Sequence, residues 1–322
     1  MKPAECGIRF FADAFEMLHC DQKCGVHLEG ALKVVTDGET ESDESGLWIR
    51  KCTNAQIYLA METNFEDQDL SNMCMYQISF ARCMSAAQKG AAEVTRRHEE
   101  DMKQFTGGAR LQIEGTDSVS EKIPLMFQYG SYLLFCSSRE DSKLPAHLPG
   151  IWNDNVSCRI GWTCDMHLDI KTQMNYWPAE FSGMGFVTET LYRWIEEKLI
   201  PEGRKTARLS YGMKGWVGEI VSNAWGYAAP YWASPIAPCP TGGVWILTHI
   251  WEHYLYTGDQ RFLEKVFPLV EEAVEFFLEY VYQTESGEYT CGPSISPENS
   301  FLYNGNARQI SSGCTYEILM IR

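Results

Sequence analysis

The sequence predicts an α+β protein: a β-rich segment, a helical linker, and a series of helix pairs that suits an α/α toroid. Three observations predict it. Short apolar runs alternate with turn-rich stretches up to residue 66. One long stretch, 72–105, has helical periodicity followed by dense charge, with no Gly or Pro after Gly90. From Ile123 onward apolar residues recur at helical spacing between loops rich in Trp, Gly and Pro.

In chain order, Ala31–Val35 and Gln56–Met61 read as strands, and Thr36–Gly46 as the turn-rich stretch between them. Met73, Tyr76, Ile78, Phe80 and Met84 lead into the charged segment Arg96–Lys103, a helical connector. Residues 106–122 are a polar link around a short strand at Arg110–Ile113. Met126, Tyr129, Leu133 and Leu134 form one helical face; Phe186, Leu191, Trp194, Ile195 and Leu199 form another. Pro268 suits the first turn of a helix with Val270, Ala273, Val274, Phe277, Leu278 and Val281 on its inner face. No fixed-period repeat is visible, which disfavours an α-solenoid.

Composition excludes several classes of function. The 27 basic against 43 acidic residues give a net charge of −16. Such a chain repels phosphate backbones, so no nucleic-acid partner is expected. No run of 18 apolar residues is present, so no membrane span is expected. The start, MKPAECGIRFFADAF, lacks the pattern of a secretory signal. The 12 cysteines are scattered without a C-x-x-C pair and read as reduced, buried thiols of a cytoplasmic protein. Cys20 and Cys24 with His19 and His27 fall off the usual zinc spacing, and no metal or cofactor is expected.

Nine of the ten tryptophans lie between Trp152 and Trp251. Sugars present apolar C–H faces rimmed by hydroxyls, which Trp rings and polar heads complement. Trp194 and Trp245 fall in helical stretches and read as packing residues. Trp152, Trp162, Trp216, Trp225 and Trp232 lie among Gly and Pro and read as candidate sugar-binding residues, with Glu219 beside them. Cleaving a glycosidic bond needs a protonated carboxyl at the leaving oxygen and a second group for water or the sugar. Glu298, in Gly292-Pro-Ser-Ile-Ser-Pro-Glu-Asn299, sits on a short polar loop after a long amphipathic helix and fits the acid. Taken alone, the spacing of that segment favours a helix start capped by Ser296 over a catalytic acid.

Several ordered motifs weigh against that plainer reading. They are Phe127-Gln-Tyr-Gly-Ser-Tyr-Leu-Leu134, Ser137-Ser-Arg139, Leu144-Pro-Ala-His-Leu-Pro-Gly-Ile-Trp-Asn153 and Asp165-Met-His-Leu-Asp-Ile-Lys-Thr-Gln-Met-Asn-Tyr-Trp-Pro-Ala-Glu180. Gly215-Trp-Val217, Asn223-Ala-Trp-Gly226, Trp251-Glu-His-Tyr254 and Pro293-Ser-Ile-Ser-Pro-Glu-Asn299 follow. In order and spacing over about residues 124–322, the chain resembles the α-L-fucosidases of glycoside hydrolase family 95. Residues 1–66 are similar to the end of that family's N-terminal β-sandwich domain. The resemblance implies a fragment: residues 1–66 from the sandwich, 67–122 a helical linker, and 123–322 the first part of an (α/α)6 barrel.

The resemblance further implies an inverting hydrolase acting on terminal α-L-fucosyl residues of a fucosylated glycan or oligosaccharide. Glu298 maps to the general acid and His167 to a sugar-binding histidine. The two water-positioning asparagines of the family fall on Asp169 and Lys171, and a later aspartate would lie beyond Arg322. Lys171 is a donor-only cation with an ordinary pKa of about 10.4 and cannot take a proton from water unless burial depresses it. On an extended segment it would pair with Asp169 or Glu298 and impair hydrolysis. Two alternatives stand beside this reading: a non-catalytic carbohydrate-binding remnant, and a zinc hydrolase built on His249-Ile-Trp-Glu252-His253.

Overall fold

The computed structural model describes residues 3–4, 7–18, 22–105, 109–115, 118–152, 164–231 and 237–322. The chain divides into two compact units, Met1–Thr106 and Gly107–Arg322. No helix among the described residues is long and apolar enough to cross a membrane.

The first unit is an antiparallel sheet in the order β1 (Pro3–Ala4), β2 (Gly7–Leu18), β3 (Gln22–Thr36), β6 (Ala55–Thr63), with a hairpin of β4 (Glu39–Asp43) and β5 (Gly46–Arg50). Alternation along β6 leaves Ile57, Leu59 and Met61 exposed. The helix α1 (Asn72–Phe105) packs on this sheet. Its Ser79 hydroxyl donates to the Glu29 carbonyl at 2.9 Å, and Met75 and Cys83 are buried. The segment expected to be a connector is therefore part of the β unit up to residue 106, because its apolar stripe is needed to cover the sheet. It breaks at Gly90, whose φ of 78° departs from the helix.

The second unit is mainly helical. It comprises α2 (Ser118–Ser137), β7 (Met166–His167), α3 (Lys171–Phe181), α4 (Thr188–Trp194), α5 (Ile200–Thr206), β8 (Val221–Ser222), α6 (Gly242–Thr257), α7 (Gln260–Tyr280) and α8 (Thr315–Ile321). Two π turns, Ile195–Leu199 and Ala207–Tyr211, make residues 188–211 one winding helical stretch. Helix pairs pack as α3 on α6 and α6 on α7. Short strands follow α7: β9 (Tyr282–Gln283), β10 (Tyr289–Thr290), β11 (Ser294–Ile295), β12 (Phe301–Tyr303), β13 (Asn306–Arg308) and β14 (Ile310–Ser311).

Four local expectations need correction. Arg110–Ile113 is irregular, not a strand. The α7 helix starts eight residues before Pro268, since the Asp259 carboxylate accepts from the Arg261 and Phe262 amides and caps it there. Val274 and Leu278 face an apolar groove beside Phe277 and Ile321 and are exposed, while Val266, Ala273, Phe276 and Tyr280 are buried. In α2 the face carrying Met126 and Tyr129 is exposed, and Leu134 and Phe135 turn inward. The face of Leu191, Trp194, Ile195 and Leu199 is fully buried as expected, without Phe186. Thiols differ too: Cys83, Cys239 and Cys291 are buried, but Cys52, Cys74 and Cys164 are exposed, all free.

Candidate functional site

The site begins at β7, which pairs with β8 so that His167 faces Val221, while the Leu168 amide donates to the Ile220 carbonyl at 2.6 Å. Leu168 is wholly buried, and this fixes the flanking residues. His167 lies between two carboxylates: its Nδ1 is 2.8 Å from Asp165 Oδ2 and its Nε2 is 2.5 Å from Asp169 Oδ1. Burial opposes charge on the imidazole, but the two acids outweigh it and push its pKa up to about 10. His167 is therefore an imidazolium near neutral pH.

The chain then turns into α3, which knits the motifs together. Gln173 Nε2 donates to the Leu168 carbonyl and Asn175 Nδ2 to the His147 carbonyl. The Tyr176 hydroxyl meets Ser138 Oγ at 2.6 Å and accepts from the Ala146 amide at 2.9 Å. The Leu148 amide donates to the Asp165 carbonyl at 2.9 Å. Thus the loop around His147, the Ser137-Ser138 pair and the segment from Asp165 share one scaffold.

A second layer is acidic and buried. The Glu219 carboxyl is 1% exposed; the Tyr211 hydroxyl donates to its Oε1 and the Cys239 amide to its Oε2. Burial pushes its pKa up to about 7, against the two hydrogen bonds and assisted by the charge of Glu317. Burial is the main cause of the upward shift of the Cys239 thiol. The negative charges of Glu219, Asp169 and Glu317 add to that shift. Ile220, Val221, Cys239 and Ile295 form one buried cluster. Since His167 pairs with Val221 and β11 ends at Ile295, the loop of Glu298 leaves from the same cluster that carries His167.

The expected site residues fare differently. His167 and Asp169 meet directly, and the Asp169 side chain is 5% exposed. Lys171 is not on an extended segment: it is the first residue of α3, exposed, and pairs with neither Asp169 nor Glu298 among the described residues. The helix starts there because Gln173 and Tyr176 find partners on a helical face that a strand would separate. Glu298 is exposed in a turn and has φ 52°, and the Asn299 amide donates to the Ser296 carbonyl at 3.2 Å. The crowded apolar setting expected for it is absent. Ser296 does not cap a helix; short strands surround it.

Among the aromatics, Trp152 is 43% exposed and lines a cavity of about 410 Å3 with Met126, Met174 and Asn175. Trp225 is half-buried. Trp216 is corrected from sugar-binding to core: it is 1% exposed, and its indole N–H donates to the Leu269 carbonyl at 2.8 Å. Glu219 is likewise too deep to meet a sugar in this conformation. Trp162 and Trp232 lie outside the described residues, as do His19 and Cys20.

The H-x-x-E-H pattern does not assemble a metal centre. His249 is buried, and burial lowers its pKa to about 4. His253 Nδ1 pairs with Glu180 Oε1 at 2.7 Å, while Glu252 faces outward. No group of three ligands converges among the described residues. The sequence reading passed over Asp165, Tyr211, Tyr280 and Glu317. Asp165 was legible as the first residue of its motif; the other three gave no spacing signal.

The glycosyl hydrolase family 95 catalytic domain, as a family description, matches residues 71–322. "Alpha-L-fucosidase 2" of Arabidopsis thaliana is 32% identical over 333 residues, covering 94% of this chain and 39% of that protein. "Probable alpha-fucosidase A" of Aspergillus niger is 34% identical over 180 residues, covering 54% of this chain and 22% of that protein. The chain thus spans about two fifths of the first relative's length. Among solved structures, "Putative kojibiose phosphorylase from human microbiome" superimposes with a TM-score of 0.65 at 12% identity, over 92% of this chain and 38% of that one. At that identity the likeness shows the fold alone.

Proposed function

Because the chain belongs to glycosyl hydrolase family 95, we propose that it acts, as part of a toroidal (α/α)6 catalytic domain, on terminal α-L-fucosyl groups of glycans with inversion. The observation that carries this reading is the Asp165–His167–Asp169 array at and around β7, next to the cluster from which the Glu298 loop departs. Glu298 protonates the leaving oxygen. Asp169 accepts from the water that attacks the opposite face of the sugar, through the carboxylate oxygen not held by His167. Trp152 and Trp225 supply the apolar faces. Lys171 occupies the second water-positioning place of the family's motif and cannot accept from that water, so the native rate is low.

The test is hydrolysis of aryl α-L-fucoside and aryl α-L-galactoside, which differ at C6 alone. Glu298→Gln should abolish turnover, and Lys171→Asn should raise it. Equal inactivity of all forms on both glycosides would reject the reading. One observation favours a non-hydrolytic sugar-binding module: Glu298 is exposed, whereas a general acid gains its proton from burial or crowding. Saturable fucose binding without turnover in Lys171→Asn would decide for that module.

A further inference from the structure

The S-P-E-N loop is held by a buried carboxylate that the proposed chemistry does not use. Glu317, near the start of α8, is 1% exposed. Its Oε1 accepts from the Tyr280 hydroxyl at 3.0 Å. Its Oε2 accepts from Ser294 Oγ at 2.5 Å and from the Cys291 thiol at 3.0 Å. No basic side chain pairs with it among the described residues. A buried carboxylate without a counter-cation is costly even when hydrogen-bonded, and an apolar residue would pack α8 as well. Stability alone is a poor reason for it.

The donors point to another role. Two of the three, Cys291 and Ser294, lie in the stretch that leads directly into Glu298. The third, Tyr280, also reaches the Pro293 carbonyl at 3.4 Å. The opposite edge of the same strand is fixed independently. The Ile295 amide donates to the Pro238 carbonyl at 3.1 Å, and the next residue, Cys239, is held through its amide by Glu219. Ser294–Ile295 is also paired with Ile310–Ser311 of β14. Only Ser296 and Pro297 separate Ile295 from Glu298, and Pro297 has a fixed φ. Whatever fixes Ser294 therefore aims Glu298.

We propose that Glu317 is a positioning residue which, through Ser294 Oγ, fixes the strand that aims Glu298 at the leaving oxygen. The link to catalysis rests on Glu298 being the general acid; the tether itself does not. Catalytic groups need placement within a fraction of an ångström, and a carboxylate that accepts several bonds from one short segment supplies it.

Amide hydrogen exchange of the intact protein tests the tether. In Glu317→Ala and in Ser294→Ala, exchange across residues 291–300 should rise about tenfold, while α5, which makes no bond to either residue, keeps its wild-type rates. Ser294→Ala removes the tether without emptying the Glu317 pocket, so it decides the matter if Glu317→Ala misfolds. Unchanged exchange at 291–300 in the folded variants overturns the proposal. The link to the acid is read from the leaving group. Ser294→Ala should lower kcat about tenfold on a fucosyl-sugar, with KM unchanged, yet leave α-L-fucosyl fluoride, whose leaving group needs little protonation, near its wild-type rate. Equal losses on both substrates would show a merely structural tether and overturn the positioning role. Glu298→Gln turning over the fucosyl-sugar as fast as wild type would instead sink the acid assignment, and the exchange comparison would still decide the tether.

Discussion

Replacing Glu219 by Gln should make the protein less sensitive to alkali. Burial raises the Glu219 carboxyl from an ordinary 4.5 to about 7. In the unfolded chain the group ionises near 4.5, so between 4.5 and 7 the folded state holds the extra proton. Stability then falls as pH rises through this window and stays lower above it. The size of the shift corresponds to about 3 kcal/mol lost by pH 8 relative to pH 4.5. A glutamine keeps the shape, accepts from the Cys239 amide and donates to the Tyr211 oxygen, without ever ionising. Urea unfolding of wild type and Glu219→Gln at intervals from pH 5 to pH 8 measures the difference. The variant should gain on wild type by most of that amount across the range. A constant difference would refute the buried, proton-holding carboxyl and with it the account of this layer.

Other expected outcomes follow from the same geometry. His167 is raised from 6.5 to about 10, so the stability it contributes is complete below pH 6.5 and is lost as pH rises through 10. Asp165→Asn should bring the imidazole titration, followed by NMR, back towards neutrality; an unchanged titration would rule out the Asp165 pairing. Gly215 has φ 67°, and a Cβ there would lie 1.9 Å from the Glu272 carbonyl oxygen in α7. Gly215→Ala should therefore cost several kcal/mol, at least about 3, in denaturant unfolding. Trp216→Ala should cost about 3–5 kcal/mol. Trp152→Ala should cost about 0.5 or less in stability but weaken sugar binding in a fluorescence titration.

The sequence indicated the helical second unit well because its signals were local. The buried face Leu191, Trp194, Ile195 and Leu199 follows from spacing alone. Where the reading failed, the deciding partner was distant in sequence. Trp216 looked like a sugar platform because it sits beside Gly215, yet its ring fills a slot between Gly203 and Gly243. A Cβ at either glycine would meet that ring within 3 Å, and nothing near Trp216 in sequence shows this. Lys171, two residues past Asp169, was expected to share its side of an extended segment. The helix won because Gln173, Asn175 and Tyr176 find partners only on one turn of it. Glu317 carries no local signal of its role, and only the tertiary fold brings Ser294 and Cys291 to it.

The arrangement of charge bears on which sugars the site can accept. Asp165, Glu219 and Glu317 are buried and the Asp169 side chain is 5% exposed, and the cation that meets these acids among the described residues is His167, already held between Asp165 and Asp169. Tyr, Ser and Cys donors satisfy Glu317, and a hydroxyl and an amide satisfy Glu219, so neither leaves a positive group turned towards a ligand. A uronic or sulfated sugar brought here would meet like charge in a low-dielectric setting, where repulsion is weakly screened. A neutral deoxyhexose brings hydroxyls that can donate to carboxylates and an apolar methyl face for the half-buried Trp225. Binding should therefore discriminate against anionic glycans, and raising ionic strength should relieve that discrimination only slightly. Equal affinity for a neutral fucoside and a uronide of the same size would contradict this electrostatic argument, whatever the rates of hydrolysis.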